Sequence, residues 1–133
     1  MTKTKTKEPL IGGKSIDEWD RLWAPVSGGL TTYHPDLRQG VGLYRTRLGD
    51  RVTALGTGTD TFGGLAKRLS DFRRPSPSGR RHHAGLLIFE HLDQLEIDVL
   101  VMPDGPEART IGRKLKGPMV RRHKPAWNAL AAV

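Results

Sequence analysis

The sequence contains no cysteine. That excludes disulfide stapling, thiol catalysis and cysteine-ligated zinc, so the fold must be held by its core alone, as suits a reducing cytoplasm. No apolar run approaches the roughly 20 residues that a membrane span needs. The stretch from Met1 to Lys7 alternates Thr and Lys with nothing hydrophobic behind it, so neither secretion nor membrane insertion is expected. Acid is also scarce: 14 Asp plus Glu stand against 22 Lys plus Arg, and none lies between positions 109 and 127.

The resulting formal charge of +8 favours a polyanionic partner over a merely solvated basic surface. The cations are clustered: Lys67-Arg68, Arg73-Arg74, Arg80-Arg81-His82-His83, Arg113-Lys114-Lys116 and Arg121-Arg122-His123-Lys124. Clusters make patches, and patches bind phosphate. A chain of 133 residues with 36% hydrophobic content fills one modest core, so one domain is expected.

Residues 1–8 read as a disordered basic arm, 9–40 as an N-terminal helix and loop extension, and 41–133 as the main domain. Ser15 and Glu18 have the spacing of a capping box, opening a short helix that carries Ile16, Trp19, Leu22 and Trp23. Residues 41–47 and 51–57 form a hairpin across Leu48-Gly49-Asp50. Phe62, Leu65, Leu69 and Phe72 recur at helical spacing over 62–73, a second helix covers 82–93, and Ile97, Val99 and Val101 alternate as a third strand. A last helix starts near Glu107, is expected to break at Gly117-Pro118, and can resume through Met119 and Val120 to His123. The order predicts an α+β domain in which helices flank a three-stranded sheet.

Four features then fall in a telling order: Gly42-Leu43-Tyr44 on the first strand, Ala54-Leu55-Gly56 on the second, Gly64 to Leu69 on the next helix, and Pro125-Ala-Trp-Asn128 near the end. Over residues 40 to 128 the chain resembles the GIY-YIG nuclease family. The resemblance implies a three-stranded antiparallel sheet flanked by helices and an ancestral endonuclease site. In that family the first Tyr lies beside the scissile phosphate, the helix Arg stabilises charge on it, and the terminal Asn supports the site. Tyr44, Arg68 and Asn128 fill these positions. Three others depart: Ala54 stands for the second Tyr, Phe72 for a Tyr or His one turn after Arg68, and Lys116 for the Glu that holds a divalent metal. An ammonium repels such an ion, which needs oxygen ligands. Without the metal there is no Lewis acid and no activated water, so the inherited cutting route is expected to be lost. Glu107 lies about 13 Å of helix away from Lys116, too far to substitute.

What the resemblance and the charge together imply is a non-catalytic protein that binds double-stranded DNA, RNA being less favoured, with a regulatory role in transcription and no cofactor or metal. Its expected contacts are Tyr44, Arg45, Arg47, Lys67, Arg68, Arg73, Arg74, Arg80, Arg81, His82, Arg113, Lys114, Lys116, Arg121, Arg122 and Lys124. One alternative is a divergent endonuclease that recruits Glu90, Glu96 or Asp98; another is a module that binds an acidic protein. His82, His83 and His91 lack the carboxylate spacing of a metal site. The glycines at 56, 58, 63 and 64 lack the Lys-Ser/Thr of a phosphate loop. Trp19, Trp23 and Trp127 suit core packing better than base stacking, and if two copies pair, the Trp19/Trp23 helix is the first surface to test.

Overall fold

The computed structural model describes residues 10–59, 64–73 and 83–131. The arm at 1–8 and the loop cations Arg74, Arg80, Arg81 and His82 lie outside the described residues. The predicted capping box forms: Ser15 Oγ accepts from the Glu18 N–H at 3.2 Å, and Glu18 Oε1 accepts from the Ser15 N–H at 2.8 Å. Helix α1 (Ile16–Asp20) is shorter than the apolar spacing suggested, because after Trp23 the chain becomes a strand, β1 (Ala24–Pro25).

That strand makes the sheet four-stranded, correcting the expected three. Its order is β1-β4-β2-β3, with β2 at Gly42–Leu48, β3 at Arg51–Gly58 and β4 at Glu96–Val101, and every pairing is antiparallel. Pro25 is tolerated because an edge strand asks for ladder bonds on one side only; the Val26 N–H carries the pairing on to Ile97 O at 2.9 Å. Two residues carry no periodicity, so nothing in the sequence announced the strand. In the hairpin, Leu48 pairs with Arg51 across a two-residue turn, and a bulge between Thr46 and Arg47 leaves Thr53 unmatched. The Thr53 and Thr46 hydroxyls, both buried, bond each other at 2.7 Å.

Both faces of this sheet are apolar and both are covered. Tyr44, Ala54, Ile97 and Val99 face one core, built with Leu65, Leu69 and Phe72 of α2 (Gly64–Arg73) and Ile88 of α3 (His83–Glu90). Leu43, Leu55 and Leu100 face a second, built with Trp19 of α1 and Leu115 and Met119 of α4 (Ala108–His123). Trp19 is 1% exposed and donates through Nε1 to Ile11 O at 2.7 Å, which withdraws it from any dimer surface. Residues 10–40 thus feed Trp19, Leu30 and Leu37 into the same two cores.

Helix α4 runs unbroken through Gly117 and Pro118, against expectation. An internal proline costs about 3 kcal/mol. Leu115 and Met119, each fully buried on either side of it, supply the packing that outweighs this. The helix ends at Lys124, whose φ of 48° is the left-handed cap, and Pro125 then leads into a helix absent from the expected order, α5 (Ala126–Ala131).

Candidate functional site

Strand β3 is an edge, and along it the two helical layers meet. There a cavity of about 230 Å³ is lined by Tyr44, Ala54, Leu55, Gly56, Thr57, Arg68, Phe72, Gly85, Ile88, Lys116 and Asn128. All six positions singled out in the sequence line this one cavity, although they come from β2, β3, α2, α4 and α5.

The glycines of the two strand motifs have steric reasons. A Cβ at Gly56 would stand 2.5 Å from the Tyr44 hydroxyl, so the ring lies across Gly56, its cross-strand partner. A Cβ at Gly42 would stand 2.0 Å from the Leu100 carbonyl oxygen, which cannot retreat without breaking the sheet. Phe72 packs edge-on against Tyr44 at 5.4 Å between centroids. Burial pushes the Tyr44 phenol up to about 12, with the Arg68 charge opposing. At neutral pH the phenol is therefore a donor and not a base.

Arg68 is half-buried, and its Nε is the only buried side-chain nitrogen or oxygen among the described residues without a hydrogen-bond partner. Leaving a buried donor unpaired costs about 1–3 kcal/mol, so such an atom calls for an explanation. Lys116 is exposed on α4 and borders the same cavity. No carboxylate is among the described residues that line it. Two cations with no oxyanion ligand do not fit a divalent metal; they fit an anion.

Asn128 is committed elsewhere. Its Oδ1 accepts from the Leu55 N–H at 2.9 Å and its Nδ2 donates to Leu55 O at 2.8 Å, so the side-chain amide pairs with the open edge of β3 as another strand would. This pins α5 over the cavity. Asn128→Ala is expected to lower stability by about 1–3 kcal/mol, two backbone groups being left to find water. A chemical-denaturation midpoint checks it.

The candidate carboxylates lie away from the cavity. Asp98 is buried on the opposite face of the sheet from Tyr44, where its Oδ2 takes Arg45 Nε at 2.7 Å and Arg47 Nε at 2.8 Å. Burial works to raise its pKa, but the bonds and charges of Arg47 and Arg45 outweigh this and hold the carboxyl below its ordinary value. Glu96 pairs with Arg47 at 3.1 Å, and Glu90 is exposed on α3. Arg45 also stacks over Trp23, 4.5 Å from the ring centroid. Arg122 pairs with Asp17 and Asp20, and Lys67 with Asp71.

Of the expected phosphate contacts, Arg45, Arg47, Arg122 and Lys67 thus have acidic partners, whereas Arg113, Lys114, Lys116, Arg121 and Lys124 are exposed on or just past α4. Arg73 closes α2. His91 packs on Trp127 at 5.2 Å and bonds Leu87 O through Nδ1.

Comparison of the chain with known protein families, curated proteins and solved structures returns no match.

One cation went unremarked in the sequence. Arg109 donates from Nε to Thr59 O at 3.0 Å, just past the end of β3. Its signal was spacing: Arg109, Arg113 and Lys116 stand at i, i+4 and i+7, one stripe of a helix. Arg45 and Arg47, at i and i+2, share one strand face, but that Asp98 of β4 lies beside them follows only from the strand pairing.

Proposed function

We propose that this chain binds duplex DNA without cutting it, on a GIY-YIG-like scaffold whose catalytic centre has become a phosphate clasp. The observation that carries the proposal is the convergence of Arg68, Lys116 and the protonated Tyr44 phenol on one cavity with no carboxylate among its described lining residues. In a metal-dependent nuclease the position of Lys116 supplies negative charge to hold a cation; here it supplies positive charge directly, so phosphate is held with no metal and no activated water. The exposed cations of α4 extend the same field along the helix. Duplex DNA is preferred to RNA because the resembling family acts on duplexes. Control of transcription in the cytoplasm is the use we assign to it; the one related structural fact is that no helix among the described residues is long and apolar enough to cross a membrane.

The decisive experiment is a gel-shift series on duplex DNA across salt, with and without EDTA. Affinity should fall by about 0.9 log units per log of salt for each phosphate engaged, and EDTA should change nothing. Plasmid nicked in Mg²⁺ or Mn²⁺, with the activity lost in Arg68→Ala, sinks the proposal in favour of a divergent endonuclease. Absence of any salt-dependent retention points instead to a protein partner.

A further inference from the structure

Phe72 of α2 and Gly85 and Ile88 of α3 form an apolar wall on one side of the cavity, and α5, pinned by Asn128, stands on another. Along the β3 edge, the stripe of Arg109, Arg113 and Lys116 leads to the cavity, and Arg68 meets it from the other layer. The row of cations therefore has an end, and the described residues that line that end beyond Arg68 and Lys116 are uncharged. An internal phosphodiester needs a way in and a way out; a terminal phosphate needs only a way in.

The charge count agrees. A phosphodiester carries one negative charge, whereas a phosphomonoester carries about −1.5 to −2 at pH 7 and offers three acceptor oxygens. Arg68 and Lys116 bring two positive charges, Tyr44 brings a neutral donor, and the described lining residues include no acid to offset them. The Arg68 Nε is buried without a partner, and the guanidinium it belongs to borders the cavity, where a set of phosphate oxygens could satisfy it.

Resting on the DNA-binding proposal above, we infer that the cavity bounded by Tyr44, Arg68 and Lys116 receives a terminal phosphomonoester, so that the chain recognises phosphorylated DNA ends. The cationic stripe of α4 tracks the backbone leading to that end. The same dianion chemistry is offered by inorganic phosphate and by a mononucleotide, and the stripe is the feature that makes a nucleic-acid end the better occupant.

The test is fluorescence anisotropy in EDTA with two short duplexes, identical except that one carries 5′-phosphates and the other 5′-hydroxyls. Inorganic phosphate and a nucleoside 5′-monophosphate serve as competitors. The 5′-phosphate should bind about tenfold more tightly or better, the value of one charge-assisted hydrogen bond or more. Lys116→Gln, at an exposed position that leaves the core intact, should abolish that advantage by lowering affinity for the 5′-phosphate duplex to that for the 5′-hydroxyl duplex. Arg68→Gln should do the same, with thermal melting of both variants confirming that they fold. Equal affinity of the native chain for the two duplexes overturns the inference and leaves DNA binding standing. Failure to bind either duplex overturns both proposals. A mononucleotide that binds as tightly as the 5′-phosphorylated duplex overturns the assignment to DNA ends.

Discussion

Replacing Arg68 by alanine is expected to weaken binding of a 5′-phosphorylated duplex by roughly tenfold to hundredfold, since hydrogen bonds to charged groups are worth about 1.5–3 kcal/mol. The fold should not suffer in proportion. A guanidinium whose Nε is buried without a partner is held at a cost to the free protein. Truncating it removes that unpaired donor, so the melting temperature of Arg68→Ala should equal or exceed that of the native chain even as binding collapses. Opposite movement of stability and affinity is what a residue kept for its ligand shows. Arg68→Lys should recover part of the affinity, because charge returns but the planar fork does not. Isothermal titration and thermal melting on the same samples measure both quantities. A lower melting temperature with unchanged affinity makes Arg68 a structural residue and removes the clasp.

Lys116→Ala should weaken binding less, because an exposed ammonium is screened. The double variant should fall short of the sum if the two cations grip one phosphate, since residues sharing a partner do not act additively.

The long elements of the fold were legible because each announces itself with a period. The hairpin at Gly42–Leu48 and Arg51–Gly58, the strand Glu96–Val101 and the helices at Gly64–Arg73 and His83–Glu90 all lie within a few residues of where alternation or helical spacing put them. The misses share another physical character: tertiary packing decided them. Ala24–Pro25 is a strand only because the edge of β4 is beside it. Helix α4 continues through Pro118 only because Leu115 and Met119 are buried together, and local propensity alone argues for a break. Trp19 and Trp23 show the limit of an apolar stripe, which says that a face is buried but not against what. Trp19 went into the molecule's own core, and Trp23 became half-buried, its ring stacked beneath Arg45 and its Nε1 bonded to Asp20 Oδ1 at 2.9 Å.

At the cavity, motif order and charge counting pick out differently placed residues. Tyr44, Ala54, Arg68, Phe72, Lys116 and Asn128 were chosen for their place in a pattern, and all six border one cavity. Arg45, Arg47 and Arg122 were chosen for their charge, and each has a carboxylate partner instead. A cation count gives the sign of the surface field but not which charges are already neutralised. That depends on which strands and helices become neighbours, as with Asp98 on β4 beside Arg45 and Arg47 on β2.

Asp98→Asn therefore tests a role distinct from DNA contact, and its effect on stability should be the largest of the variants considered. Asp98 is 4% exposed, and the side chains of Arg45 and Arg47 are 18% and 20% exposed, so the three groups are mostly out of water. Breaking a buried pair by removing one partner costs about 3–5 kcal/mol, because a charge is left without compensation. The partial exposure of both guanidiniums puts the expected loss near the lower figure, roughly 3 kcal/mol, or about 12 °C in melting temperature at about 4 °C per kcal/mol. The same carboxyl sets the acid limit. Its folded pKa is depressed below the ordinary 3.8, so its stabilising contribution is complete above about pH 3.8 and is lost as pH falls through the lower folded value. Native protein should hold its melting temperature from neutral pH down to about pH 4 as far as this group is concerned, and Asp98→Asn should lack the decline that Asp98 titration adds below it. In a background where Arg45 and Arg47 are both methionine, Asp98→Asn should cost much less, because no guanidinium is left stranded. The Arg45→Met, Arg47→Met pair should leave the salt slope of DNA binding nearly unchanged, since Asp98 and Glu96 already offset those charges. A slope that falls by about two units in that pair instead returns both arginines to the DNA surface.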